Sequence, residues 1–174
     1  MGDNGFITYQ AGTDAERAFT DAVEDARYEY GNRGYTGTIA EKDDYTVVTT
    51  TPMPLNEATE YAERLLDVDD SRVSDKRGPA GAVPVLTGER TVEVIITTAD
   101  APAGGFEGSY EDAARAVLAA RGLLAEGEKV GYGVTGTYEL HPITRRPYTG
   151  TMKVPLVNGP LEHTGWLFFG VASC

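Results

Sequence analysis

Cysteine is nearly absent. The one copy in 174 residues, Cys174, is the last residue and has no partner for an internal disulfide. Histidine occurs twice, at His141 and His163, and neither position repeats a metal-ligand or hydrolase spacing; there is no G-x-S-x-G and no H-E-x-x-H. No apolar run approaches the roughly 18 residues of a membrane span, and Met1-Gly2-Asp3-Asn4-Gly5 lacks the basic start and apolar stretch of a signal peptide. These absences predict a cytoplasmic protein without a metal or other cofactor and away from the membrane. With 41% hydrophobic and 24% charged residues, a chain of this length is expected to be a single domain that builds its core unaided.

Positive charge is also scarce. Against 27 Asp and Glu stand 15 Lys and Arg, a formal charge of −12. Residues 1–75 hold 17 acids and 6 bases, whereas residues 76–174 hold 10 and 9, so the excess belongs to the N-terminal part. Such a field repels phosphate backbones and anionic lipid, where binding begins with Lys and Arg displacing counterions. Direct nucleic-acid or membrane binding is therefore not expected. Good solvation explains the charge by itself; the sharper reading is an acidic face that engages a basic protein.

What is present reads as three helices among Thr- and Val-rich strands. Thr13-x-x-Glu16 has the spacing of a capping box, and Ala15, Ala18, Phe19, Ala22, Val23, Ala26 and Tyr30 then recur as one buried stripe, with Gly31 and Gly34 as stops. The opposite side is acidic, with Asp21, Glu24 and Asp25. A second helix is predicted from Pro54 to Leu66, with Ala58, Tyr61, Ala62, Leu65 and Leu66 inward and Glu57 and Glu60 outward. The third begins at Ser109, with Asp112 completing a capping box.

Seven strands are expected, over residues 6–10, 45–50, 82–86, 92–98, 130–140, 150–156 and 166–172. Pro84 and Pro155 point to edges or bulges, because proline cannot donate to a ladder. Trp166-Leu167-Phe168-Phe169 is continuously apolar, as in a strand covered on both faces. The predicted class is α+β, with one mainly antiparallel or mixed sheet. Thr-Gly-Thr recurs at residues 36–38, 135–137 and 149–151, as two similar strand–helix–strand halves would give, but a strand former beside a bend former makes a three-letter match cheap on its own.

Candidate sites are few. Gly31-Asn32-Arg33-Gly34-Tyr35-Thr36-Gly37-Thr38 offers backbone amides, a guanidinium and a tyrosine to an anion or a partner. It is not a phosphate loop, since it follows a helix and leads into a strand; a helix stop followed by a tight entry into a sheet strand explains it without any ligand. Arg145-Arg146 could take an anion or balance nearby acids. Asp67 to Asp75 alternates oxygen side chains, but Arg72 and Gly78 stand where a calcium loop needs glycine and glutamate. His141 or His163 could act as a base beside a carboxylate. Tyr35, Tyr110, Tyr132 and Tyr148 fall in or beside loops and suit binding surfaces.

Gly34-Tyr35-Thr36-Gly37-Thr38-Ile39, directly after a helix ending Tyr28-Glu29-Tyr30-Gly31, resembles a pattern in small bacteriophage and prophage proteins. The closing Trp166-Leu167-Phe168-Phe169-Gly170-Val171-Ala172 is similar to the way such proteins end. The resemblance covers about a quarter of the chain and implies an accessory phage-type protein in the host cytoplasm. It brings no activity and no functional residue with it. The expected function is non-enzymatic: capture of a host protein through an acidic surface, or sequestration of a small anionic nucleotide. The alternatives are a small hydrolase using His141 or His163 with a carboxylate, and a minor virion component that self-assembles; an oligomer is compatible with either.

Overall fold

The side chains of Trp166 to Phe169 point alternately to opposite faces of their strand, and that alternation determines how the acidic helices are arranged. The computed structural model describes residues 2–174. In chain order the elements are β1 (Asp3–Ala11), α1 (Ala15–Tyr30), a 3-10 turn (Ile39–Glu41), β2 (Tyr45–Val47), β3 (Met53–Pro54), α2 (Leu55–Asp67), β4 (Ala80–Thr87), β5 (Arg90–Ile96), α3 (Tyr110–Ala120), β6 (Lys129–Val130), β7 (Thr135–Leu140), β8 (Pro147–Val157) and β9 (Glu162–Ser173). The α+β class holds, with three helices and mainly antiparallel pairing. Nine strands replace the expected seven, in two sheets. The 130–140 segment breaks into β6 and β7, and β3 is an added two-residue strand.

Two compact units result. Unit 1 runs to Thr87 and resumes from Leu161 to Cys174; unit 2 is Gly88–Pro160. In unit 1 the sheet order is β1-β9-β4-β2, with β3 also paired to β4. β1 and β4 flank β9 antiparallel, while β2 and β3 run parallel to β4. Phe168 packs with Phe19, Ala22 and Val23 of α1, whereas its neighbours Leu167 and Phe169 pack with Ala58 and Ala62 of α2. The apolar run is therefore covered on both faces, as expected, and α1 and α2 lie on opposite sides of the sheet. Full burial of each such side chain contributes roughly 1.5–3 kcal/mol.

The start of α1 differs from the sequence reading. Asp14 is the cap, accepting from the Arg17 amide at 2.8 Å, and the Thr13 carbonyl instead accepts from the Trp166 indole at 2.9 Å. Gly31, at φ 91°, ends the helix as predicted, and its N–H donates to the Arg27 carbonyl. Ser109 and Asp112 form the expected reciprocal box at the start of α3.

Both prolines sit on interior strands and not at edges; the expected bulge is present beside Pro84, where the β4–β9 register shifts between Val85 and Leu86, while the β5–β8 register runs unbroken past Pro155. Ala80 N donates to Asp44 O and Val48 N to Ala82 O, so the even-numbered residues of β4 turn their backbone groups toward β2 and β3. Pro84 thus faces the break between β2, which ends opposite Ala82, and β3, which begins opposite Val85. Pro155 repeats the arrangement in unit 2. Its carbonyl accepts from Gly131 N, and it lies between the positions paired by β6 and β7. In each case the missing N–H points where no strand could accept it.

Unit 2 pairs β5, β6 and β7 with the long strand β8. Ala113, Ala114, Val117 and Leu118 of α3 close over Val94, Met152, Val154 and Leu156. The buried Glu128 carboxylate accepts two hydrogen bonds from Arg90, at 3.0 and 2.8 Å, and one from Ala125 N at 3.0 Å. The Thr-Gly-Thr copies are not structurally equivalent: residues 36–38 precede the 3-10 turn, while Thr137 and Thr151 oppose one another on β7 and β8. Among the described residues no helix is long and apolar enough to cross a membrane.

Candidate functional site

The glycine loop at residues 31–38 is organised around a residue the sequence reading passed over. Glu41, in the 3-10 turn, points its carboxylate back into the loop. Oε1 accepts from the amide and hydroxyl of Thr36 and from Gly37 N at 3.0 Å, and Oε2 accepts from Ser173 N at 3.2 Å. Burial pushes the Glu41 carboxyl upward, but the donors from Gly37, Thr36 and Ser173 outweigh it and hold it below its ordinary range. Gly37 also donates to the Ser173 carbonyl, and its own carbonyl accepts from Asn4. Thr38 caps the turn through its hydroxyl, which accepts from Ala40 N. Two of the loop's amides, Thr36 and Gly37, therefore already hold an internal anion, and the loop leads into a turn, not a strand. Its sequence signal was the Thr38-x-x-Glu41 spacing, the pattern of a capping box.

Around this latch the exposed members of the loop are Asn32, Arg33, Gly34 and Tyr35. Tyr35 has φ 74°, left-handed backbone that costs a residue with a side chain about 1–2 kcal/mol. The fixed ends of the loop hold that conformation.

Next to Glu41, Lys42 is 1% exposed. Its ammonium donates to the carbonyls of Asp75, Lys76 and Gly78 at 3.0, 3.2 and 3.0 Å, one acceptor for each proton. Burial lowers its pKa, with the charges of Asp75 and Glu41 opposing that shift. The partners lie more than thirty residues along the chain and no local pattern announces them.

The acidic residues behave differently. Glu24, Asp25, Glu57 and Glu60 are exposed and Asp21 is half-buried; none of them makes an ion pair among the described residues. Because α1 and α2 cover opposite faces of the sheet, Asp21, Glu24 and Asp25 do not form one surface with Glu57 and Glu60. The acid that does line a concavity is on the α1 side. A depression of about 420 Å³ is lined by Glu16, Phe19, Thr20, Asp43, Asp44, Tyr45 and Val47. Phe19 and Tyr45 meet at a tilt and both pack edge-on with Phe168, an aromatic floor with centroid distances of 5.2 to 5.9 Å. Burial, and then the charges of Glu16, Asp14 and Asp44, raise the Tyr45 hydroxyl above the ordinary tyrosine range. A second depression, of about 330 Å³, lies on the other flank of α1 and includes Asp14, Arg17 and Asp21.

The remaining candidates are engaged locally. His141 Nδ1 accepts from the amides of Ile143 and Thr144, both at 3.3 Å, and its ring meets Tyr148 edge-on. His163 Nε2 lies 3.1 Å from the Gly165 carbonyl, with its ring against Trp166. His141 belongs to unit 2 and His163 to unit 1, and neither has a carboxylate among its hydrogen-bond partners. Arg145 and Arg146 are exposed in the loop between β7 and β8, where Arg146 reaches Glu107 at 3.6 Å. Asp70 pairs with Arg72, whose hydrogen bonds hold its carboxyl down to about 2. No group of three or more metal-ligating side chains occurs among the described residues. Comparison of the chain with protein-family models, with curated proteins and with solved structures finds no match.

Proposed function

We propose that this is a non-enzymatic binding protein, of the phage or prophage accessory kind its Gly34–Ile39 motif resembles, that captures a basic host protein on the α1 side of unit 1. The observation that carries the reading is the concave aromatic floor of Phe19 and Tyr45 ringed by Glu16, Asp43 and Asp44. A lysine or arginine from a partner would find apolar surface for its stem, a ring face for its charge and carboxylates at the rim. Around the site, the uncompensated acids of α1 supply the longer-range attraction that speeds encounter with a positive surface.

Position and net charge make different predictions. A fluorescent oligolysine peptide should bind the wild type at about 0.15 M salt. Replacing Glu16, Asp43 and Asp44 together by Gln, Asn and Asn should weaken it at least about tenfold, roughly 1.4 kcal/mol. Replacing Glu57, Glu60 and Glu63 by Gln removes the same formal charge from the opposite face and should leave affinity within about twofold, because exposed charges more than a Debye length of about 8 Å away are screened. Equal losses in the two variants would reduce the attraction to net charge and remove the site.

A further inference from the structure

β1 forms one margin of the unit 1 sheet and is paired on one side only, with β9, in an unbroken register from Asp3↔Ser173 to Ala11↔Gly165. The flanking bonds Cys174 N to Gly2 O and Gly12 N to Thr164 O show that even-numbered residues turn their backbone groups toward β9. The N–H and C=O groups of Asp3, Gly5, Ile7, Tyr9 and Ala11 therefore point off the sheet. None of them has a hydrogen-bond partner among the described residues.

Proteins normally blunt such an edge with charge, proline, a bulge or short length, and the other margins of this molecule do so. β2 has three residues, and the Asp44 carboxylate accepts from the outward amide of Tyr45 at 2.7 Å. β3 and β6 have two residues each. β5 carries Arg90 and Glu93, and Arg121 donates to its Ile95 carbonyl at 2.6 Å. β7 has a bulge next to Glu139. β1 has nine residues, no proline, no bulge and no charge from Asn4 to Ala11, in a chain of −12.

The strand is also complementary to itself. Its central residue, Ile7, is one of the outward-facing five, so a two-fold axis there pairs every open group. Ile7 meets the partner's Ile7, Gly5 the partner's Tyr9, and Asp3 the partner's Ala11, forming about ten interchain N–H···O=C bonds. Tyr9 would lie over the partner's Gly5, an aromatic ring covering a glycine. No acid faces an acid along the seam.

We propose that two copies of this chain associate through β1, antiparallel about Ile7, to make one continuous sheet. Two chains of −12 repel at long range, so the association strengthens as salt rises. Capture of a basic partner weakens with salt, and the two readings can therefore fail separately.

Sedimentation of the full chain across a concentration series should show a species of twice 18.6 kDa, its share growing with added salt. Ile7→Pro removes an outward N–H and no bond to β9, and should weaken the dimer about tenfold or more. Since Ile7 also packs against the α2-side core, amide exchange of the wild type provides a test that does not depend on the variant folding. Gly5, Ile7 and Tyr9 amides should exchange slowly when the protein is concentrated and quickly on dilution, while Phe6, Thr8 and Gln10 stay protected at both. A monomer at NMR concentrations, or a dimer whose Gly5, Ile7 and Tyr9 amides exchange at the dilute rate, would overturn the proposal.

Discussion

Lys42→Met should destabilise unit 1 by about 3–5 kcal/mol, the largest loss expected of any single substitution considered for this molecule. Methionine keeps the apolar stem as far as Cε but removes the three donors that hold the Asp75, Lys76 and Gly78 carbonyls. Each buried acceptor left without a partner costs about 1–3 kcal/mol, less where water can reach the turn. The turn at residues 75–78 leads directly into β4, the neighbour of β9, so losing its anchor also loosens the start of an interior strand. Trp166 is the one tryptophan and lies in unit 1, so its fluorescence in urea follows this unit. A midpoint shift worth less than about 1 kcal/mol would mean that the ammonium does not hold the turn.

Glu41→Ala should cost about 2–4 kcal/mol near neutral pH, because four donors from Thr36, Gly37 and Ser173 then lose a charged acceptor. The pH dependence follows from the direction of the shift. The folded-state pKa lies below the ordinary 4.5, so the ionised carboxylate stabilises the fold fully above that value, and the contribution is lost as pH falls through the folded-state pKa. Wild type and variant should therefore converge in stability on acidification below about pH 4.5. Urea titrations of both proteins from pH 7 to pH 3 measure this, and a gap that stays constant over the range would contradict the latch. The left-handed Tyr35 gives the same substitution a visible local consequence: without its anchor the loop can relax to negative φ.

These two residues also mark the limit of what the sequence made legible. Helix signals were local and could be read: the Ser109 and Asp112 box, the Gly31 stop and the buried stripe of α1 depend on neighbours within four residues. The α1 cap moved by one position, from Thr13 to Asp14, because both residues can accept and the Thr13 carbonyl has Trp166 as a distant partner. Lys42 and Glu41 stood unnoticed in an acidic stretch, since the carbonyls of one lie over thirty residues away and Ser173 is 132 residues from the other. Pro84 and Pro155 were expected at edges or bulges, and although β4 has its bulge beside Pro84, neither strand is an edge, for a related reason. Proline needs a missing neighbour on one side only, and the breaks between β2 and β3 and between β6 and β7 provide it within sheet interiors.

The acidic surface was legible as composition and not as geometry. Counting charges located the excess in residues 1–75, but the division of α1 from α2 depends on β9 lying between β1 and β4, a matter of strand order. The rim of the proposed site draws Asp43 and Asp44 from the segment before β2 and Glu16 from α1, joining residues that no sequence window unites. Arg33 and the loop amides are chemically suited to an anion, and two of those amides, Thr36 and Gly37, are taken by the Glu41 carboxylate.

Affinity retrieval from a bacterial lysate tests the proposed capture of a basic protein at Glu16, Asp43 and Asp44. Wild type and the Glu16, Asp43, Asp44 variant serve as parallel baits at low and at high salt. One basic protein should be held by the wild type at low salt, depleted at high salt and missing from the variant. Retention of the same protein by both baits, or of nothing by either, would contradict it.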